Sequence, residues 1–333
     1  MERQPGQHEP NIVVIGGGTG SFTLLTGLKE VTPNLTAVVN MADDGGSTGI
    51  LRDELGVLPP GDVRQCLVAL ARNPMARDLF TYRYGPDDGS LAGHSFGNLF
   101  LATLGQLKDG DFGAAVKAAG QFLNITGAVL PATLDNVTLE IEFPDGQTIH
   151  GEHHLDHGVV FSAQRPEVRL VPPASITDEA TRAIQEADLV VVAPGSLYGS
   201  LAAVLAVGGM SEALRTTKAK KAFVCNLVTE EGQTDGFSVN DYAEEIIRFM
   251  GGVNLDYVLY NTHKPPQDLL ARYKEEHRTW VHLDPDESSE EPVYQTVGRN
   301  FVAAVSSNHP TLIRHNQARI AHSLLQIANG EEL

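Results

Sequence analysis

Basic side chains are scarce in this sequence: 24 Lys and Arg stand against 42 Asp and Glu, a formal net charge of −18. Binding to a nucleic acid rests on clustered Lys and Arg that neutralise phosphates, so nucleic acid is excluded as a partner. Any smaller phosphate ligand has to be held by backbone dipoles and a few basic side chains. Cysteine is nearly absent. Cys66 and Cys225 lie far apart in apolar stretches with no second cysteine nearby, which excludes a CxxC site and reads as two buried free thiols. No uninterrupted apolar run is long enough to span a bilayer, and none of signal length precedes the first strand. The expectation is a cytoplasmic protein without membrane insertion. Two catalytic signatures are also missing. There is no G-x-x-x-x-G-K-[ST] phosphate loop and no G-x-S-x-G elbow, so neither a P-loop NTPase nor a triad of Ser95, His94 and Asp62 is supported.

What the chain does have is apolar material for a large core, 42% of 333 residues, and glycine-rich loops placed after strand-like runs. Residues 12–28 read IVVIGGGTGSFTLLTGL. Four apolar β-formers run into Gly16, Gly17, Gly18, Thr19 and Gly20, and an apolar pattern at helical spacing follows. This is a strand, a tight turn and a helix. Glycines let the backbone approach an anion, and the free N–H groups and dipole of a helix start favour negative charge. The turn therefore predicts a phosphate. As a G-x-G-x-x-G fingerprint it is partial, because Ser21 stands where the third glycine belongs.

A second β-like run at 35–40 follows at the interval of a βαβ unit, and helical patterns cover 61–71, 74–84, 96–107 and 111–123. Between about 136 and 173 the period changes to strand alternation around the turn PDGQ, which predicts an antiparallel hairpin subdomain. The α/β rhythm then returns: helix 178–187, strand 188–194, helix near 200–215, strand 221–226, helix 240–250, strand 256–261 and a last helix at about 310–328. The fold class expected is α/β, a Rossmann-like, doubly wound, mostly parallel sheet. It forms a single domain over 11–330 with the hairpin inserted, after a disordered stretch at 1–10. The histidines at 150, 153, 154 and 157 fall in the hairpin and read as solvated, as does the acidic run 284–292.

In a doubly wound sheet, ligands sit outside the carboxyl ends of the strands, and the loops richest in chemistry fall there. Asn40 ends the second strand, and Asp43, Asp44 and Gly45 open an acidic, glycine-rich loop suited to a divalent ion bridging to phosphate oxygens, or to a plain turn. The stretch LPPGDVRQCL puts Asp62 and Arg64 at a helix start on the same edge. GHSFGN puts His94, Ser95 and Asn98 at another, and one capping residue does not account for all three. APGSLYGS supplies a second anion-accepting turn with Gly195, Ser196, Tyr198 and Ser200, and Asn226 and Thr229 end a further strand. Two such turns suit a diphosphate.

Taken together, GGGTGS, NMADDGGSTGILR, PPGDVRQCLVALA, GHSFGNL, ADLVVVAPGSLYGS and FVCNLVTEEGQT resemble the 2-phospho-L-lactate transferase-like (CofD-like) family over nearly all of residues 11–325. The closer likeness is to its bacterial gluconeogenesis factor (YvcK-like) branch. That resemblance implies a Rossmann-like fold, a cytoplasmic location, binding of a UDP-sugar such as UDP-N-acetylglucosamine, and a role in cell shape and in growth on gluconeogenic carbon sources. The transferase branch implies magnesium-dependent transfer of a phospholactyl group, with Asp43, Asp44 and Asp62 matching its acidic positions. No deazaflavin-recognition signature accompanies them here. With Ser21 in the last fingerprint position and a paired acidic loop in place of a lone acid at the strand end, a nucleotide-sugar diphosphate is favoured over NAD(P). Asp62 is the candidate catalytic residue, magnesium is the only cofactor suggested, and a homodimer follows from the prevalence of two-fold assemblies.

Overall fold

The computed structural model describes residues 9–43, 45, 47–49, 51, 57–152, 155, 165–284, 293–303 and 313–333. Strand β1 (Ile12–Gly16) and strand β7 (Leu189–Val192) are buried along their whole length. Continuous Ile, Val and Leu runs of this kind pack on both faces, which is the demand a parallel sheet makes on its central strands. Successive residues accordingly serve opposite layers: Val13, Ile15, Val190 and Val192 join one core, and Ile12, Val14, Leu189 and Val191 the other.

Around this pair stand β2 (Leu35–Val39), β3 (Ala128–Pro131), β8 (Lys220–Val224), β9 (Tyr257–Asn261) and β10 (Gln295–Arg299), in the order β10-β9-β8-β7-β1-β2-β3. Every pairing in this sheet is parallel. Register is direct, with Ile12 opposite both Leu35 and Leu189. From β1 the chain winds outward through β2 and β3, then returns to β7 on the other side of β1. The point of reversal is therefore the β1–β7 gap.

Helices α1 (Gly18–Leu28), α2 (Gly61–Leu70), α3 (Pro74–Thr81), α4 (Phe96–Leu107) and α5 (Phe112–Leu123) follow in the first half. In the second come α6 (Asp178–Gln185), α7 (Ala202–Leu205), α8 (Met210–Thr216), α9 (Val239–Phe249), α10 (Gln267–Glu275) and α11 (Gln317–Asn329). Interior glycine costs a helix about 1 kcal/mol, yet Leu24, Leu25 and Leu28 of α1 are almost fully buried, each contributing about 1.5–3 kcal/mol. Packing outweighs propensity here. α1 exists because the sheet covers it.

The segment expected as a hairpin forms β4 (Thr138–Glu142) and β5 (Thr148–His150), and β6 (Glu167–Val171) adds to the far side of β4, giving an antiparallel sheet of three strands. Leu139, Ile141 and Leu170 attach its inner face to the core shared with β7. β3, β10 and α10 were not expected from the sequence. Of the stretch expected to be disordered, residues 1–8 lie outside those described, while Glu9 and Pro10 accept hydrogen bonds from Asn34 and Thr32. His153, His154, His157 and residues 285–292 and 304–312 also lie outside. Cys66 and Cys225 are buried free thiols. Among the described residues no helix is long and apolar enough to cross a membrane.

Candidate functional site

A crevice of about 560 Å³ opens at the carboxyl edge of the sheet, where β1 and β7 diverge. Its size suits a small-molecule ligand, and its position is the one the doubly wound topology favours. A second cavity of about 380 Å³ lies at the opposite edge, against the starts of β1, β2 and β3. It lies at the amino ends of those strands, away from the Gly17–Gly20 and Gly195–Ser196 turns. Of the residues picked out from sequence, Gly17, Gly18, Thr19, Gly20, Asp43 and Asp62 line the first crevice, as do Gly195, Ser196, Ser200, Asn226 and Thr229.

The two glycine-rich turns are pressed against each other. A Cβ added to Gly20 would fall 1.6 Å from the carbonyl oxygen of Pro194, so only glycine lets α1 start this close to the end of β7. Gly16, the last residue of β1, lies behind the turn with Ser21 packed beneath it: a Cβ there would meet Ser21 Oγ at 2.8 Å. Ser21 is thus fitted where a fingerprint glycine would be.

Gly17 precedes α1 and offers no side-chain cap. Instead the Asp62 carboxylate, from the first turn of α2, comes up to the α1 start beside Gly18, whose N–H favours its charged form. The approach is close enough that a Cβ on Gly17 would sit 1.9 Å from Asp62 Oδ2. Burial and then the neighbouring Asp43 raise the pKa of Asp62 to about 7, against the pull of Gly18, Asn40 and Arg64. Asp62 Oδ2 and Asn40 Nδ2 are both buried without a hydrogen bond of ordinary geometry. Asn40 therefore acts on Asp62 through its field, while its Oδ1 accepts from Ala42 N at 3.1 Å. An amide buried in this way leaves no acid at the end of β2 for a ribose.

Asp43 stands on the other side of Asp62's helix start. A Cβ on Gly61 would lie 2.4 Å from Asp43 Oδ2, and Asp43 Oδ1 accepts from Gly45 N at 3.0 Å. Among the described residues no three His, Cys, Asp or Glu side chains converge on a metal position, and Asp44 lies outside them. Two carboxylates, one with an unpartnered buried oxygen, nevertheless fit magnesium, which usually takes one or two protein carboxylates and fills its octahedron with water and phosphate oxygens.

Arg64, His94, Ser95 and Asn98 do not line the crevice. They form a buried layer beneath it: Arg64 Nε donates to Asn98 Oδ1 at 2.9 Å, Asn98 Nδ2 donates to Ser47 Oγ at 3.2 Å, and Ser47 Oγ meets His94 Nδ1 at 2.9 Å. Ser95 caps α4 by accepting from Asn98 N at 3.3 Å. The network joins α2, α4 and the acidic loop that carries Asp43. Its role is to hold that loop.

Tyr198 corrects the sequence reading outright. It is 1% exposed, belongs to the core, and its hydroxyl donates to Glu245 Oε2 at 3.2 Å. The chain from Leu197 to Leu201 turns as a wide π-helix, which sends residue 198 inward while Ser196 and Ser200 stay on the crevice. Asn226 clamps the β7 turn, accepting from Gly195 N at 3.2 Å and donating to Gly195 O at 2.8 Å. That N–H is engaged by protein and does not face the crevice as a free donor. Thr229 Oγ1 accepts from Thr279 N at 2.8 Å and fixes the wall beyond β8.

Sequence reasoning missed Gln65, Glu152, Glu230, Arg278, Arg314 and His315, all on the crevice wall. Arg278 and Arg314 are the two arginines among the described residues that line it. They come from loops after α10 and before α11, in segments without a glycine signature. His315 Nε2 contacts Cys225 O at 3.1 Å, and burial lowers its ring to about 4, so it stays neutral at pH 7.

Residues 12–302 match the sequence model of the family described as 2-phospho-L-lactate transferase CofD. The chain belongs to this family. Within it, the chain is 37% identical to the gluconeogenesis factor of Listeria innocua over 319 residues, covering 95% of each chain. It is 36% identical to the gluconeogenesis factor of Halalkalibacterium halodurans over 318 residues, covering 95% of this chain and 96% of the other. The fold matches a crystal structure of a upf0052 family member from Bacillus halodurans with a TM-score of 0.87 at 35% identity, over 96% of this chain and 100% of that one.

Proposed function

We propose that the crevice binds a nucleotide-sugar diphosphate of the UDP-N-acetylglucosamine type, and that the protein is a cytoplasmic, ligand-responsive regulator of carbon metabolism and cell shape. The observation that carries the reading is the meeting of a glycine-started helix, two carboxylates and two arginines at the β1–β7 divergence. Asp43 and Asp62 would hold a magnesium ion, which would supply the positive charge that lets phosphate oxygens approach them. Arg278 and Arg314 neutralise the remainder. Asn40, where a dinucleotide site has an acid, weighs against NAD(P).

Calorimetric titration with UDP-N-acetylglucosamine, UDP-glucose, GDP and NADP, with and without magnesium, tests this. Heat with a UDP-sugar is the expected result, and its absence with both UDP-sugars overturns the proposal. A response only to NADP replaces it with a dinucleotide site.

The raised pKa of Asp62 favours one second reading, a magnesium-dependent transferase of the 2-phospho-L-lactate type. A carboxylate poised near neutrality accepts a proton from an incoming hydroxyl, which makes it a general base. Turnover of a nucleoside diphosphate-activated substrate with an alcohol or phosphorylated acid acceptor, lost on chelating magnesium, would establish it. For assembly we propose a homodimer, checked by light scattering; a monomer mass ends that idea.

A further inference from the structure

The crevice wall has two chemically different ends. The Gly17–Gly20 turn, Asp43 and Asp62 belong to the β1 and β2 side, whereas Leu227, Val228, Tyr273 and Ile313 come from the β8 side, which the strand order places beyond β7. Leu227 and Tyr273 are buried, and the Tyr273 hydroxyl accepts from Ile313 N at 3.1 Å, which ties α10 to the segment before α11. Apolar side chains of this size offer nothing to a phosphate. They suit a flat, weakly hydrated ring.

His315 stands on the same wall, two residues beyond Ile313. Its partner at 3.1 Å, Cys225 O at the end of β8, is a carbonyl oxygen and only accepts, so the proton of the neutral ring is on Nε2. Nδ1 is then an acceptor, and no described residue donates to it. A phosphate oxygen also only accepts, so the group complementary to Nδ1 is a ligand N–H or O–H. Among flat rings, the nucleobases divide on this point. Uracil N3 and guanine N1 carry a proton on the pairing edge, whereas cytosine N3 and adenine N1 present a lone pair, which Nδ1 would repel.

We propose that the β8 end of the crevice is a nucleobase subsite, in which Leu227, Val228 and Ile313 cover the base and His315 Nδ1 accepts a hydrogen bond from its ring N–H. This rests on the proposed binding of a nucleotide sugar, and names the residue that selects uracil over cytosine. A buried acceptor that loses its donor and meets a lone pair instead separates two ligands by roughly 10- to 100-fold. The diphosphate then lies towards the glycine turn, and the base towards β8.

The test is titration of the parent, His315→Leu and His315→Gln with UDP, CDP and 2′-deoxy-UDP. The parent should bind UDP about 10- to 100-fold more tightly than CDP, and 2′-deoxy-UDP within a few-fold of UDP. His315→Leu keeps the bulk without the acceptor, so its preference for UDP over CDP should collapse. His315→Gln, with a donor for Cys225 O and an acceptor for the base, should recover part of it. Equal affinity of the parent for UDP and CDP overturns the subsite while leaving nucleotide binding intact, and needs no variant that folds. A parent that discriminates against 2′-deoxy-UDP and not CDP assigns the nitrogen to the ribose, which also overturns it. So does a preference for UDP that survives in His315→Leu, even if both affinities fall, because the residue then acts on folding alone. A parent that binds none of these, nor UDP-N-acetylglucosamine, removes the nucleotide-sugar reading and the subsite with it.

Discussion

Gly17 and Asp62 are in contact across two helix starts, so closely that a Cβ on the glycine would lie 1.9 Å from the carboxylate. Gly17→Ala therefore has to evict Asp62 from the α1 start. The carboxylate would lose its place beside the Gly18 N–H, and the magnesium-dependent ligand binding proposed for the crevice should weaken by more than about 10-fold, roughly the worth of one charge-assisted interaction. Calorimetry with and without magnesium measures it; undiminished binding would show that Asp62 does not act from this position.

Asp62→Asn should stabilise the ligand-free protein in a pH-dependent way. The folded-state pKa, about 7, is above the unfolded value of about 3.9, so the folded state holds the proton more tightly. Stability from this group is complete below about pH 4 and is lost as pH rises through 7, where a buried charge must form. In magnesium-free buffer the variant should melt higher than the parent at pH 8, by on the order of a few kcal/mol in stability, and the gap should close towards pH 4. A constant gap at all pH values would show that Asp62 titrates normally.

Asn98→Ala cuts the buried layer at its middle, removing the partner of Arg64 Nε and one donor to Ser47. A loss of about 1–3 kcal/mol is expected in denaturant unfolding, since a buried guanidinium is left short of an acceptor. Because the layer holds the acidic loop, magnesium affinity should fall as well. Lower stability with unaltered magnesium affinity would confine the network to folding.

Tyr198→Phe should do the reverse. Glu245 keeps Arg248, which donates from Nε at 2.9 Å, and Arg165, whose guanidinium lies 3.2 Å away. Removing one hydroxyl then costs about 1 kcal/mol and leaves the crevice untouched. Ligand affinity altered by more than a few-fold, in the titrations above, would place Tyr198 back in the site.

The sequence made the central fold readable because β1 and β7 are uninterrupted, fully buried apolar runs followed by glycine turns, the strongest signals a parallel sheet leaves. β3 and β10 left little. They are outer strands, and β10 reads QTVGR, with a polar or glycine residue at every position but one because only one face is covered. Within the site, backbone-driven features were legible: the turns at Gly17–Gly20 and Gly195–Ser196, and Asp62 at a helix start. What failed was direction. The sequence places Tyr198 two residues from Ser196, but a wide helical turn decides which of them faces the crevice. Arg64, His94 and Asn98 likewise travel with the site without lining it. Glu152 and Arg314 could not be seen, because they reach the wall only through tertiary placement of segments whose local pattern says nothing about phosphate or sugar.

The strand order also sets a timetable. β1 takes one neighbour, β2, almost at once, but its other neighbour is β7, with Ile12 opposite Leu189. At a synthesis rate of about 5–20 residues per second, the second edge of β1 waits on the order of ten to a few tens of seconds before its partner leaves the ribosome. Such an edge is a template for wrong pairing. During that interval the nascent chain has its glycine turn but no opposite wall, so the crevice does not yet exist. Any response that depends on crevice occupancy thus reports only on molecules that have finished folding.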